Sequence, residues 1–423
     1  MLRFSSSPTD DMNIGDLRIA LFNYIVSKQR NEDLVLRIED TNKEKNIEGK
    51  DKEILDILDL FGVKYSQTLY QSEHVRFHTA MALQLLHEKK AFSCFCSNEW
   101  LDKKRKESKM NNKAYIYDDA CANLPAELVI DNTNPFTIRI AKANEDIAIA
   151  DCICGEVKLK SEDADSFIIM NQDKTPTYNF ASAVDDMLSD ISLVIRSQKH
   201  LFDAPMQEHI RASLKYDKKI EYAHLSDFLN DDMLSVKSLL EEGFLPEAIS
   251  NYLISIGNKP PKEIFTISEA IEWFNLGDIS KSPTQFDIDV LKHINKEYLK
   301  MLDAKELSRY VGFADEEIGH LAKVYLEEVS TTKELRSKIK GIFGLKQIPE
   351  KSTKQSAVLS KAIQSAPYFD EYADFKNYLI KESGLEGKEV SELLRHLLTG
   401  EENGPDIAVI YKYIKNYIGE IVK

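Results

Sequence analysis

A short apolar run, a Gly-containing turn, an amphipathic stretch and a second apolar run fill residues 2–38, and this order constrains the fold more than any other feature of the chain. Residues 2–4 are an apolar entry, followed by Ser, Pro, Thr and Asp turn chemistry, and a helix is expected over about 15–28. Residues 34–38 form a buried-type strand ending in polar residues, and Ile54, Leu58 and Phe61 mark the next amphipathic helix. Strand, turn, helix, strand is how a doubly wound α/β domain begins. Ligands of such domains sit beyond the carboxyl ends of the strands.

Cysteines, basic residues and short strands such as 136–140 interrupt this pattern between residues 65 and 180. Strand character returns at 167–170 and 191–195, with Arg196 at the carboxyl end of the latter, where a binding residue belongs. From about 235 the periodicity is helical, punctuated by Pro260-Pro261, Ser282-Pro283 and a Lys-rich joint at 348–354, with no fixed-period repeat. At 423 residues the chain exceeds a single core. Expected boundaries are an α/β head from 1–65 and 180–235, an insertion at 66–179, and helical domains at 236–320 and 321–423.

With 43% hydrophobic and 30% charged residues the chain is not a disordered one, and no apolar run approaches the roughly 18 residues of a membrane span. The apolar stretch 19–26 follows Asp16 and Arg18 and reads as a helix face, not a secretion signal. A net charge of −15 argues against a general nucleic-acid coat. A local patch at Lys103, Lys104, Arg105, Lys106 and Lys109 reads either as an RNA contact or as a solvated helix face. Cys94/Cys96, Cys121 and Cys152/Cys154 suit a reducing compartment and a metal better than disulfides. A cytoplasmic monomer without a membrane partner is expected.

The string Arg3-Phe4-Ser5-Ser6-Ser7-Pro8-Thr9-Asp10-Asp11-Met12-Asn13-Ile14-Gly15-Asp16-Leu17-Arg18, with Leu36-Arg37-Ile38-Glu39-Asp40-Thr41 after it, resembles the start of a glutamyl-tRNA synthetase. Leu397-Leu398-Thr399-Gly400-Glu401-Glu402-Asn403-Gly404-Pro405 resembles that family's anticodon-binding domain, which the shorter tRNA-modifying relatives lack. The resemblance spans nearly the whole chain. It implies a Rossmann-like class I catalytic domain with an inserted acceptor-binding domain, then helical stem-contact and anticodon-binding domains. It also implies ATP with Mg²⁺, glutamate and tRNA as reactants. Arg3, Ser7, Glu39, Tyr178 and Arg196 match the family's glutamate-contact positions. Arg3 and Arg196 would pair the carboxylates and Glu39 the ammonium, since free glutamate needs cations for two carboxylates and an acceptor for its amine.

The residues expected to meet ATP depart from the family pattern. A His-Ile-Gly-His-like turn is Asn13-Ile14-Gly15-Asp16 here: Gly15 still permits close approach, but Asn13 carries no charge. Asp16 reads either as ordinary helix N-terminal stabilisation or as a carboxylate working against phosphate. The lysine-rich second motif should lie between Tyr222-Ala223-His224-Leu225 and Gly243-Phe244-Leu245-Pro246, but residues 226–237 look shortened and offer only Lys237. Met233 to Ser238 as a degenerate loop is the other reading. Lys199, beside His200, stands where an acid usually helps to hold the ribose. Each lost transition-state donor typically costs roughly 10²–10³ in rate. Weak or lost adenylate formation is therefore expected. The alternatives are a non-catalytic, regulatory glutamate- or tRNA-binding paralogue, and an enzyme rescued by Lys237 or His200.

Cys94, Cys96, Tyr117 and Cys121 resemble the zinc site of some family insertions, with Asp118 or Asp119 as other candidates for the fourth ligand. Three cysteines packed without metal is the competing reading. Cys152 and Cys154 match nothing in the resemblance.

Overall fold

The computed structural model describes residues 1–112, 115–229, 234–346 and 353–422. Ten strands follow in chain order: β1 (Leu2–Ser6), β2 (Leu34–Ile38), β3 (Gln67–Tyr70), β4 (Ala91–Cys94), β5 (Thr137–Ile140), β6 (Ile147–Asp151), β7 (Gly155–Leu159), β8 (Ile168–Met170), β9 (Leu193–Ser197) and β10 (Glu221–Leu225). Seven form one sheet in the order β3-β2-β1-β9-β10-β6-β7, parallel except for the β6–β7 hairpin. The other three, β4-β5-β8, form an antiparallel sheet. β2 reads Leu-Val-Leu-Arg-Ile and is buried at every position, as a strand covered on both faces must be.

The chain divides into two compact units. The first comprises Met1–Val236, Leu253–Pro261 and Phe265–Phe286 and holds every strand. Its helix α1 (Ile14–Arg30) opens at the N-cap Asn13, buries Leu17, Leu21, Phe22 and Ile25, and closes at Asn31 in a left-handed conformation. α2 (Lys50–Leu60), α3 (Val75–His87), α4 (Asn98–Met110), α5 (Ala126–Ile130), α6 (Tyr178–Leu188) and α7 (Asp203–Ser213) follow. The helices expected near 15–28 and around Ile54 are thus α1 and α2. Within residues 66–179, β3 and the β6–β7 hairpin pair into the seven-stranded sheet, and β4, β5 and β8 form the separate one. Short interior strands lack the length to declare which sheet they join, so this division had no sequence signature.

The second unit, Lys237–Tyr252, Lys262–Ile264 and Asp287–Lys423, is helical wherever it has regular structure. Capping boxes at Asp303/Glu306 and Thr331/Glu334 start two of its helices. The Leu397 to Pro405 motif spans the end of the helix Gly387–Thr399 and its left-handed Gly400 cap. Among the described residues no helix is long and apolar enough to cross a membrane.

Candidate active site

Alternation along β1 puts Arg3 and Ser5 on one side, and parallel register sets Ser5 against Arg37 of β2. On β9, Arg196 lies opposite His224 of β10. Ser5, Arg37, Arg196 and His224 stand near the carboxyl ends of their strands, and Arg3 lies one pleat earlier on β1. α6 packs on this side and supplies Tyr178 at its start and Asp185-Asp186 near its end.

Asp186 is the hub of the side expected to meet glutamate. Arg37 donates to it at 2.5 Å and Arg3 at 3.3 Å, all three side chains being buried. Burial alone would raise the Asp186 pKa, but the two guanidiniums outweigh it and hold the carboxyl down to about 2. Arg37 also donates to Glu39 at 3.0 Å, which fixes the carboxylate expected to meet the substrate ammonium. Burial and Glu39 push the Tyr178 phenol up to about 12 against the opposing pull of Arg196, Arg3 and Arg37. The side chain, 39% exposed, forms an open wall, its ring 5.2 Å from that of His200. Arg3, Glu39, Tyr178 and Arg196 thus converge; Ser7 is exposed just beyond β1.

Arg196 differs from its neighbours. Its Nε donates to His224 Nε2 at 2.9 Å, one terminal nitrogen to Gln207 Oε1 at 3.1 Å and the other to the His200 carbonyl at 3.0 Å. Every acceptor is neutral, and among the described residues no carboxylate forms an ion pair with Arg196. A buried cation held this way is a receptor prepared for an anion.

The side expected to meet the nucleotide is a cleft of about 130 Å³ lined by Asn13, Gly15, Asp16, Arg18, Ser197, Lys199, His200 and Asp227, among others. Asn13 Oδ1 accepts from the Asp16 amide at 2.9 Å, and Asn13 Nδ2 donates to the Asp16 carboxylate at 2.8 Å. Asp16 therefore does act as an N-terminal helix residue, and its charge still lies in the cleft. The Ile14 amide donates to the Leu234 carbonyl at 3.2 Å, and the Val236 amide to Met12 at 2.9 Å, so residues 234–236 run antiparallel across 12–14. Two of the first three helical amides are consequently occupied from within the protein. Lys199 stands 3.9 Å from Asp227, which also accepts from Ser197 at 2.7 Å, and His200 Nδ1 contacts Asp203 at 2.8 Å. Lys237 lies in the helix Val236–Glu241; of the proposed degenerate loop, Met233 lies outside the described residues.

The Cys94, Cys96 and Cys121 sulfurs lie within 4.8 Å of one another. The Tyr117 hydroxyl is 3.4 Å from Cys94 Sγ and 3.3 Å from Cys96 Sγ, and accepts from the Cys121 amide at 3.2 Å. Burial raises the Cys94 thiol, but hydrogen bonds from Tyr117, the Cys96 amide and Arg139 bring it down to about 7. The three sulfurs are soft donors of the kind zinc takes, and the Tyr117 hydroxyl beside them is a harder oxygen donor in reach of the fourth position. Asp118 and Asp119 are not in the knot: Asp118 accepts from the Ala120 amide, and Asp119 lies 3.7 Å from Lys142.

Sequence reasoning missed Arg37, Asp186, His224 and Asp151. A charged residue inside an otherwise apolar strand, Leu36-Arg37-Ile38, was the one available signal. Cys154 was left without a role, and its thiol donates to the His224 carbonyl at 3.6 Å.

This parallel-sheet head matches, over residues 1–293, the family of class I tRNA synthetases for Glu and Gln, catalytic domain. The chain belongs to the glutamate–tRNA ligase family. It is 67% identical to glutamate–tRNA ligase 2 of Sulfurimonas denitrificans and 49% identical to glutamate–tRNA ligase 1 of Nitratiruptor sp., with all of both chains covered in each case. A solved glutamate-tRNA synthetase from Elizabethkingia anophelis superposes with a TM-score of 0.81 at 25% identity, covering 99% of this chain and 98% of that one. The glutamate tRNA ligase of Elizabethkingia meningosepticum, solved with its amino acid, has the same fold (TM-score 0.81, 24% identity, 100% and 99% covered).

Proposed function

We propose that this chain binds glutamate and tRNA as a member of its family and that its ATP-dependent adenylation step is weak or lost. Residues 234–236 laid across 12–14 carry this reading: the Leu234 carbonyl and Asn13 Oδ1 occupy the Ile14 and Asp16 amides at the helix end where phosphate would be received. The Asp16 and Asp227 carboxylates in the same cleft add repulsion toward a triphosphate.

The lengths of the relatives are compatible with a shortening of this chain. The alignment with the Sulfurimonas ligase runs over 432 positions, so at least nine of them have no residue in this 423-residue chain. A loss of that size fits the region 226–237, where the lysine-rich motif is missing. The glutamate side is complete by contrast, with Arg196 held on neutral acceptors and Glu39 fixed by Arg37.

A structural zinc on Cys94, Cys96, Cys121 and Tyr117 belongs to the same reading, as do the insertion's contact with the tRNA acceptor and a cytoplasmic, monomeric state. Calorimetry with glutamate, a non-hydrolysable ATP analogue with Mg²⁺, and tRNA tests it. Glutamate and tRNA should bind, and the ATP analogue should bind far more weakly than either; ATP-analogue binding in the micromolar range would overturn it.

A further inference from the structure

The β6–β7 hairpin ends against β10 with an acid that the glutamate pocket does not touch. Asp151, the last residue of β6, receives the Ile153 and Cys154 amides on Oδ1 at 2.9 and 2.7 Å. Its Oδ2 receives the His224 amide at 3.1 Å and contacts His224 Nδ1 at 2.6 Å. Both side chains are 0% exposed. On the other side of the ring, His224 Nε2 lies 2.9 Å from Arg196 Nε.

Only one arrangement of protons satisfies this chain. Arg196 Nε is always a donor, so His224 Nε2 must be bare and Nδ1 must carry the proton, which then points at the Asp151 carboxylate. Burial, with Arg196 alongside, lowers the His224 pKa despite the acid, so the ring is neutral and its acceptor persists at neutral pH. Gln207 and the His200 carbonyl occupy one N–H on each terminal nitrogen. Three of the five guanidinium N–H groups are thus committed, leaving one on each terminal nitrogen for an anion.

We infer that Asp151 and His224 are positioning residues for glutamate recognition: Asp151 selects the His224 tautomer, and His224 sets the plane in which Arg196 meets a substrate carboxylate. The inference rests on the glutamate reading of the pocket for its consequence, and on the hydrogen-bond chain alone for its geometry. Asp151→Asn retains the shape but faces the ring with an amide donor, which favours the opposite tautomer and sets two donors against each other at Arg196. His224→Leu removes the acceptor. His224→Gln keeps a donor toward Asp151 and an acceptor toward Arg196.

The test is glutamate calorimetry on the full chain, with tRNA binding and thermal unfolding as controls and ¹⁵N resonances of His224 reporting the tautomer. Asp151→Asn and His224→Leu should each weaken glutamate binding by roughly 10- to 100-fold, while His224→Gln should stay within about threefold of wild type. A merely packed histidine would rank the two His224 variants the other way, since leucine is the better buried filler. Glutamate binding by His224→Leu within threefold of wild type, or equal losses in His224→Gln and His224→Leu, overturns the inference. Should wild type not bind glutamate, the reading of the pocket fails, and the resonances still decide the relay: a protonated Nδ1 in wild type that shifts to Nε2 in Asp151→Asn supports it, and a protonated Nε2 in wild type overturns it.

Discussion

Asn13 and Asp16 close a ring on each other at the start of α1: the Asn13 amide donates to the Asp16 carboxylate at 2.8 Å, and the Asp16 backbone amide donates back to Asn13 Oδ1 at 2.9 Å. The pair gives the helix a good start and gives a phosphate a poor one. Replacing Asp16 with Ala should remove about 0.5 kcal/mol of helix N-terminal stabilisation. It should also raise affinity for a Mg²⁺–ATP analogue by about fivefold, since a carboxylate no longer faces the phosphates. Thermal unfolding and analogue titration of the same variant measure both terms, and unchanged affinity would mean that the closure by residues 234–236 dominates.

Arg196 presents a fork, not a point charge, so lysine should not replace it. Arg196→Lys keeps one positive charge but loses the three fixed bonds to His224, Gln207 and the His200 carbonyl. Glutamate affinity should fall by roughly 100-fold, read by calorimetry, with tRNA affinity unchanged.

Asp186 between Arg3 and Arg37 ties stability to pH. Its folded pKa, about 2, lies below the ordinary aspartate value, so its contribution is complete above about pH 4 and is lost as the pH falls toward 2. The expected size is about 2 kcal/mol. Asp186→Asn should be destabilised at pH 7, and its deficit against wild type should narrow as denaturant unfolding is repeated at pH 4, 3 and 2.

The Cys94, Cys96, Cys121 and Tyr117 knot should carry one zinc per chain in metal analysis of the purified protein. Chelation or Cys96→Ser should lower the unfolding temperature, because metal affinity is expressed as folding stability. Cys152→Ser should leave zinc content unchanged.

The fold was legible where pattern and length agree. β1, α1, β2, α2 and β9 follow from apolar runs and caps, and Arg196 stood out because a charged residue ends an apolar strand. The residues expected to contact glutamate were singled out through family motifs. Asp186, Asp151 and His224 were not, because their role lies in partners 28 to 183 residues away, and no local period encodes such a distance. The closure of 234–236 over 12–14 was equally hidden: a shortened segment shows what is missing, not where the remaining chain is drawn. The membership of β3 and the β6–β7 hairpin in the main sheet likewise depends on long-range pairing.

Glutamate-dependent ATP–pyrophosphate exchange, measured in the presence of saturating tRNA, reads adenylate formation itself. The proposed glutamate pocket and the occupied helix N-terminus predict bound glutamate with exchange at least 10²-fold below that of a family member with unaltered nucleotide motifs. Exchange at an ordinary synthetase rate would mean that residues 234–236 and Asp16 leave ATP binding and adenylate formation intact.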